Sequence, residues 1–147
     1  FDQIIELGTG SGTCSIYLSL QCWYKNAKLY TFDHKPMSDK NRELLELLGN
    51  TLYYVEDIFS PEGIEKVKAR IQRAGVTLLY CDNGKKTVEI ETFAPYLKKN
   101  DLLIVHDVPD EVKEEDLIKY GKDYNLDWVD KEWFESFVGM HRALIKK

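Results

Sequence analysis

The feature that most constrains this chain is at its start. Phe1 to Leu7 reads as a buried strand, Gly8-Thr9-Gly10-Ser11-Gly12 follows directly, and a helical pattern begins at Thr13. Glycine permits positive φ and carries no Cβ, so such a loop lets a ligand approach the backbone closely. A strand that turns through glycines into a helix opens an α/β fold, in which ligands lie outside the carboxyl ends of the strands.

The rest of the chain continues that alternation. Thr13 to about Trp23 reads as a helix with Ile16, Tyr17 and Leu20 on one side, and Lys28 to Phe32 as a second strand ending at Asp33. Ser38 or Asp39 starts the next helix, Leu44, Leu45, Leu47 and Leu48 form its apolar stripe, and Gly49 stops it. Thr51 to Val55 is a third strand. Ser60-Pro61 begins a helix with Ile64, Val67 and Ile71 inward and Gly75 at its end. Val76 to Cys81 is the apolar run of a strand buried on both faces. Thr87 to Lys99 is helical with a break at Pro95, and Leu102 to Val105 is a fifth strand. Glu111 to Tyr120 reads as a charged helix, and Leu126 to Val129 and Gly139 to Ile145 as the last two strands. The pattern predicts one domain over residues 1–147, a Rossmann-like, mostly parallel seven-stranded sheet with helices on both faces and an antiparallel last strand. The chain opens inside a strand pattern, as expected of a trimmed or minimal domain.

Charge and cysteines narrow the classes. The net charge of -5 argues against a general nucleic-acid binder. Three widely spaced cysteines, Cys14, Cys22 and Cys81, make neither a disulfide framework nor a zinc pair, and the apolar stretches are only strand-sized. A cytoplasmic protein with reduced thiols and no membrane span is expected.

Polar residues follow each of the first five strands. They are the glycine loop; Asp33; Glu56, Asp57 and Ile58; Asp82 to Lys86; and His106 with Asp107. In a sheet of this kind those positions face one ligand site. The glycine spacing is Gly-x-Gly-x-Gly, one residue shorter than the dinucleotide fingerprint, and Glu6 stands before it. A carboxylate there suits a cationic ligand better than a pyrophosphate.

Glu6 to Gly12 resembles the first motif of class I S-adenosylmethionine-dependent methyltransferases. The resemblance implies that Glu6, Gly8, Thr9, Gly10, Ser11 and Gly12 surround the methionine part of the cofactor. It implies that Asp33 holds the ribose hydroxyls and that Asp57 and Ile58 read the adenine ring, with His34 near ribose or adenine. After the fourth strand the chain lacks the base-clamping motif of DNA methyltransferases. Asp82-Asn83-Gly84-Lys85 is instead similar to metal-dependent O-methyltransferases of the catechol and cephalosporin-hydroxylase-like groups. That likeness implies that Asp82 contributes to the cofactor and metal sites, and that Lys85 is the general base.

His106-Asp107 departs from that pattern, which has two oxygen ligands there. Magnesium prefers oxygen, whereas imidazole suits manganese, iron, cobalt or zinc. His106 is then a ligand to a softer metal with Asp82 and Asp107, or a general base, or part of a degenerate metal site. Lys86 is open between lowering the Lys85 pKa and a solvated helix start. Trp23 and Trp128 read as core or sheet-cover residues, and Trp133, Phe134 and Phe137 have a claim on the acceptor pocket. His141 is expected to face outward, and Asp110 to Asp116 to form a solvated face.

The function implied is methyl transfer to an oxygen of a small-molecule acceptor, with divalent metal assistance. A non-catalytic cofactor-binding module and an NAD-dependent oxidoreductase are the alternatives. A short domain has little room for an acceptor lid, so a partner subunit, as in a homodimer, is one way to complete the pocket.

Overall fold

The computed structural model describes residues 1–132, 136 and 140–147. Its strands are β1 (Gln3–Leu7), β2 (Lys28–Asp33), β3 (Thr51–Val55), β4 (Thr77–Cys81), β5 (Leu102–Val105), β6 (Leu126–Trp128) and β7 (Arg142–Lys146). They form one sheet in the order β3-β2-β1-β4-β5-β7-β6. All pairs among β1 to β5 are parallel, and β7 runs antiparallel to both β5 and β6. The chain order reverses beside β1, so β1 and β4 flank the switch point where a ligand crevice opens.

The helices are α1 (Thr13–Lys25), α2 (Asp39–Leu48), α3 (Pro61–Ile71), α4 (Lys86–Phe93) and α5 (Glu114–Tyr124). Ser38 caps α2 by accepting from Asn41 N–H, and Ser60 caps α3 by accepting from Gly63 N–H, with Pro61 in the first turn. Gly49 closes α2 in the left-handed region, whereas α3 ends at Ile71, short of Gly75. At Pro95 the helical path tightens into a 3-10 turn, Ala94–Tyr96.

Strand alternation sends neighbouring residues into two cores. Ile5, Leu7, Phe32 and Leu79 pack with Val67 and Ile71 of α3, Ile90 of α4 and Leu117 of α5. Ile4, Leu29 and Tyr80 pack with Cys22 of α1 on the opposite face. The inward side of α1 corrects its sequence pattern. Ser15, Ser19 and Cys22 are buried, while Tyr17, Leu20 and Trp23 are exposed, so Trp23 is no core residue. The serines face inward because their hydroxyls have buried partners, Ser15 on Glu6 and Ser19 on Asn50. In α2 only Leu45 of the apolar stripe is buried, and Leu44 and Leu47 are exposed. Trp128 packs half-buried on the larger core. Trp133, Phe134, Phe137 and the start of the last strand at Gly139 lie outside the described residues. The three cysteines are unbonded.

Candidate active site

The glycine loop is pinned to both neighbouring strands. Gly8 N–H donates to the Phe32 carbonyl at 2.9 Å, and Asp82 N–H donates to the Leu7 carbonyl at 2.8 Å. Gly8 sits at φ 100°, and a Cβ there would stand 2.2 Å from the Asp82 carbonyl oxygen. Only glycine allows this approach. The loop, Asp33, His34 and the Asp82–Gly84 segment line a cleft of about 580 Å³. Asp33 is almost fully buried at its edge. One carboxylate oxygen accepts from Gly10 N–H at 2.8 Å, the other from Lys35 N–H at 2.9 Å.

Glu6 departs from its expected place, since the cleft wall does not include it. It lies fully buried below the loop, and one oxygen accepts from the Ser15 and Thr31 hydroxyls. Thr31 spends its only proton on Glu6, so Thr9 at the cleft donates to Thr31. Among the described residues the other Glu6 oxygen has no hydrogen-bond partner. Burial pushes its pKa to about 7, against the lowering hydrogen bonds from Ser15 and Thr31.

A second cleft of about 270 Å³ adjoins the first through His34 and Asn83, and Asp57, Phe59 and Lys85 complete its wall. Asp57 accepts from Phe59 N–H with one oxygen. The Ile58 side chain is committed to the core. His34 is exposed, with Nδ1 3.2 Å from an Asp33 oxygen. Lys85 is also exposed, and its ammonium lies 5.7 Å from the centre of the Phe59 ring. It therefore stands on the Asp57 side of the cleft.

At the ends of β4 and β5 the predicted polar residues meet. His106 Nδ1 lies 3.0 Å from an Asp82 oxygen and 3.2 Å from an Asp107 oxygen. Ligand-capable atoms of Asp82, His106 and Asp107 fall within 4.8 Å of one another. Asp107 has left-handed backbone, φ 56°, which breaks strand alternation and lets it share a cluster with His106. Two carboxylates and an imidazole have the donor chemistry for a first-row divalent ion, with the imidazole disfavouring magnesium.

Three further residues join this cluster without a clear signal in the sequence. Lys86 is 1% exposed, contrary to a solvated helix start. Its ammonium lies 3.2 Å from Asp82 Oδ1, 2.8 Å from Glu111 Oε2 and 3.7 Å from Asp107 Oδ2. Burial pulls its pKa down, but Glu111 and the carboxylates of Asp82 and Glu89 outweigh that, and the net shift is upward. The Asp110–Asp116 run is mostly exposed as expected, yet exposed Glu111 pairs with buried Lys86, and Glu114 binds buried Arg142 at 2.9 Å. The charged helix starts at Glu114, three residues late. His141 turns inward as well. Its ring centre is 4.5 Å from that of His106, and its Nε2 is 2.9 Å from the Tyr80 hydroxyl. Burial and His106 hold the His141 pKa below the usual histidine range. The available clue was slight: Lys86 follows Asp82 by four residues. Behind the cluster, fully buried Glu89 accepts from Asn83 and Lys85 N–H and shapes the loop after β4. Burial raises its pKa to about 7.

The strand order, the switch-point cleft and the antiparallel β7 are those of the Rossmann-like fold of class I S-adenosylmethionine-dependent methyltransferases. No protein-family model and no curated protein matches the chain. Among solved structures, CmcI with Mg and SAM aligns at TM-score 0.69 and 13% identity, over 99% of this chain and 65% of that one. An O-methyltransferase family protein from Burkholderia thailandensis aligns at TM-score 0.63 and 13% identity, over 97% and 49%. A fibrillarin/Nop5p complex aligns at TM-score 0.57 and 15% identity, over 97% and 70%. At these identities the likeness is one of fold. The chain spans about half to about two thirds of the length of those proteins. Among the described residues no helix is long and apolar enough to cross a membrane.

Proposed function

We propose that this domain transfers the methyl group of S-adenosylmethionine to an oxygen of a small-molecule acceptor such as a sugar, a phenol or a secondary metabolite. The observation that carries the proposal is the adjacency of two features. A glycine-walled cleft edged by Asp33 shares Asp82 with a polar cluster that can take a proton.

Each residue then has a task. The Gly8–Gly12 backbone encloses the methionine part. Asp33 accepts from the ribose hydroxyls with lone pairs not used by Gly10 and Lys35. Asp57 and the Ile58 backbone meet the adenine edge, and Lys85 and His34 border the nucleoside side. Glu6 holds the loop from below through Ser15 and Thr31. His106 Nδ1 faces two carboxylates, so Nδ1 carries the proton and Nε2 is the free base. Nε2 can accept the acceptor hydroxyl's proton as the oxygen attacks the methyl carbon in line. The cofactor, when bound, supplies the sulfonium leaving group. A divalent ion on Asp82, His106 and Asp107 would be the alternative to this base: it would occupy the imidazole and lower the pKa of an acceptor hydroxyl instead.

Calorimetric titration with S-adenosylmethionine, S-adenosylhomocysteine and NAD tests the proposal. Binding of the first two, and not NAD, is expected. Binding of NAD alone would make the domain an oxidoreductase, and cofactor binding without turnover on a panel of hydroxylated acceptors would make it a binding module.

A further inference from the structure

We infer that Lys86 is the resident cation of the Asp82, Asp107 and Glu111 carboxylates, and that it opposes divalent-ion binding by Asp82, His106 and Asp107. The inference deepens the proposed function, on which its catalytic meaning rests.

The geometry is that of a built ion site with a tethered occupant. Lys86 stands in the first turn of α4, its side chain is 1% exposed, and its ammonium is within 3.2 Å of Asp82 Oδ1 and 2.8 Å of Glu111 Oε2. Asp107 Oδ2 is 3.7 Å away. An ammonium has three N–H donors and no acceptor, and here it faces three carboxylates. Asp82 Oδ1 is also the atom nearest His106 Nδ1, at 3.0 Å. A divalent ion bound to that oxygen at about 2.1 Å would share it with the ammonium, and two cations on one oxygen repel strongly in a half-buried site. Lys86 itself is 1% exposed, its stem enclosed at the base of α4. Removing the ammonium would leave three carboxylates close together without a counter-charge, an arrangement that attracts a dication.

Lys86 thus does two things that a bound metal would do. It supplies positive charge beside the acceptor position, and it fixes the Asp82 carboxylate that orients His106. It is a positioning residue, acting through Asp82 on His106. Methyl transfer with Lys86 in place requires no added metal.

Manganese binding to the intact chain, read by loss of the free Mn²⁺ electron-paramagnetic-resonance signal, tests this. Wild type should show no saturation up to about 1 mM, and Lys86→Met should bind at least about a hundredfold more tightly. Wild-type saturation below about 10 µM, or a variant that binds no more tightly than wild type, would overturn the inference. Lys86→Gln, which keeps a donor for Asp82 and Glu111, is the second variant. If neither variant folds, the wild-type titration decides by the same limits. S-adenosylmethionine calorimetry on wild type is a separate readout. A chain that binds no cofactor overturns the proposed function but leaves the manganese result intact.

Discussion

Gly8 and the carbonyl of Asp82 are packed so closely that a single methyl group on Gly8 would stand 2.2 Å from the oxygen. That contact joins the loop after β1 to the segment after β4, and with it the proposed cofactor half of the site to the proposed proton-accepting half. Gly8→Ala meets both a backbone clash and a left-handed φ. It should destabilise the domain by about 3 kcal/mol or more. Urea unfolding measures this, and a loss under about 1 kcal/mol would mean that the loop is not held as described.

Asp33→Ala removes an acceptor of two backbone N–H groups and the proposed ribose ligand. Affinity for S-adenosylhomocysteine should fall at least about thirtyfold, or about 2 kcal/mol. Calorimetry reads it, and unchanged affinity would remove Asp33 from the cofactor site.

His106→Gln keeps a donor toward Asp82 and discards the proposed base. Turnover should fall about 10²- to 10⁴-fold while cofactor affinity stays within about threefold. A parallel loss of both would assign His106 to cofactor binding instead.

Glu89 yields a pH prediction. Its pKa in the fold is raised from 4.5 to about 7 by burial. Below its unfolded pKa it is neutral in both states and imposes no penalty. Between the two values the unfolded carboxyl has released its proton and the buried one retains it, so stability falls, by on the order of 3 kcal/mol from about pH 4.5 until the folded group ionises near pH 7. Glu89→Gln has no proton to lose. Between about pH 5.5 and pH 8 its unfolding free energy should fall less than that of wild type. Glu6 contributes a fall of the same sign to both proteins, so part of the slope persists. Equal slopes would show that Glu89 has the same charge in the folded and unfolded states over that range, so that burial does not raise its pKa.

Much of the fold was legible because its signals are local. Ser38, Ser60 and Pro61 mark helix starts through their own backbone neighbours, and Thr51–Val55 is bounded by turn chemistry on both sides. The α1 face was misread because apolar periodicity points to Tyr17 and Leu20. Burial there instead goes to serines, whose partners Glu6 and Asn50 lie on other elements and outside the helical repeat.

The candidate site divides the same way. The glycine loop, Asp33, Asp57, Asp82, His106 and Asp107 could be picked out in one dimension, because a parallel sheet brings the ends of its strands to one edge. Lys86, Glu111 and His141 could not. Whether a lysine at a helix start points to water or into a carboxylate cluster depends on how α4 lies against the turn after β5. His141 meets His106 only because β7 pairs antiparallel to β5. Short-range chemistry set the elements and the loop, while the charge balance around His106 came from long-range packing, which no local pattern encodes.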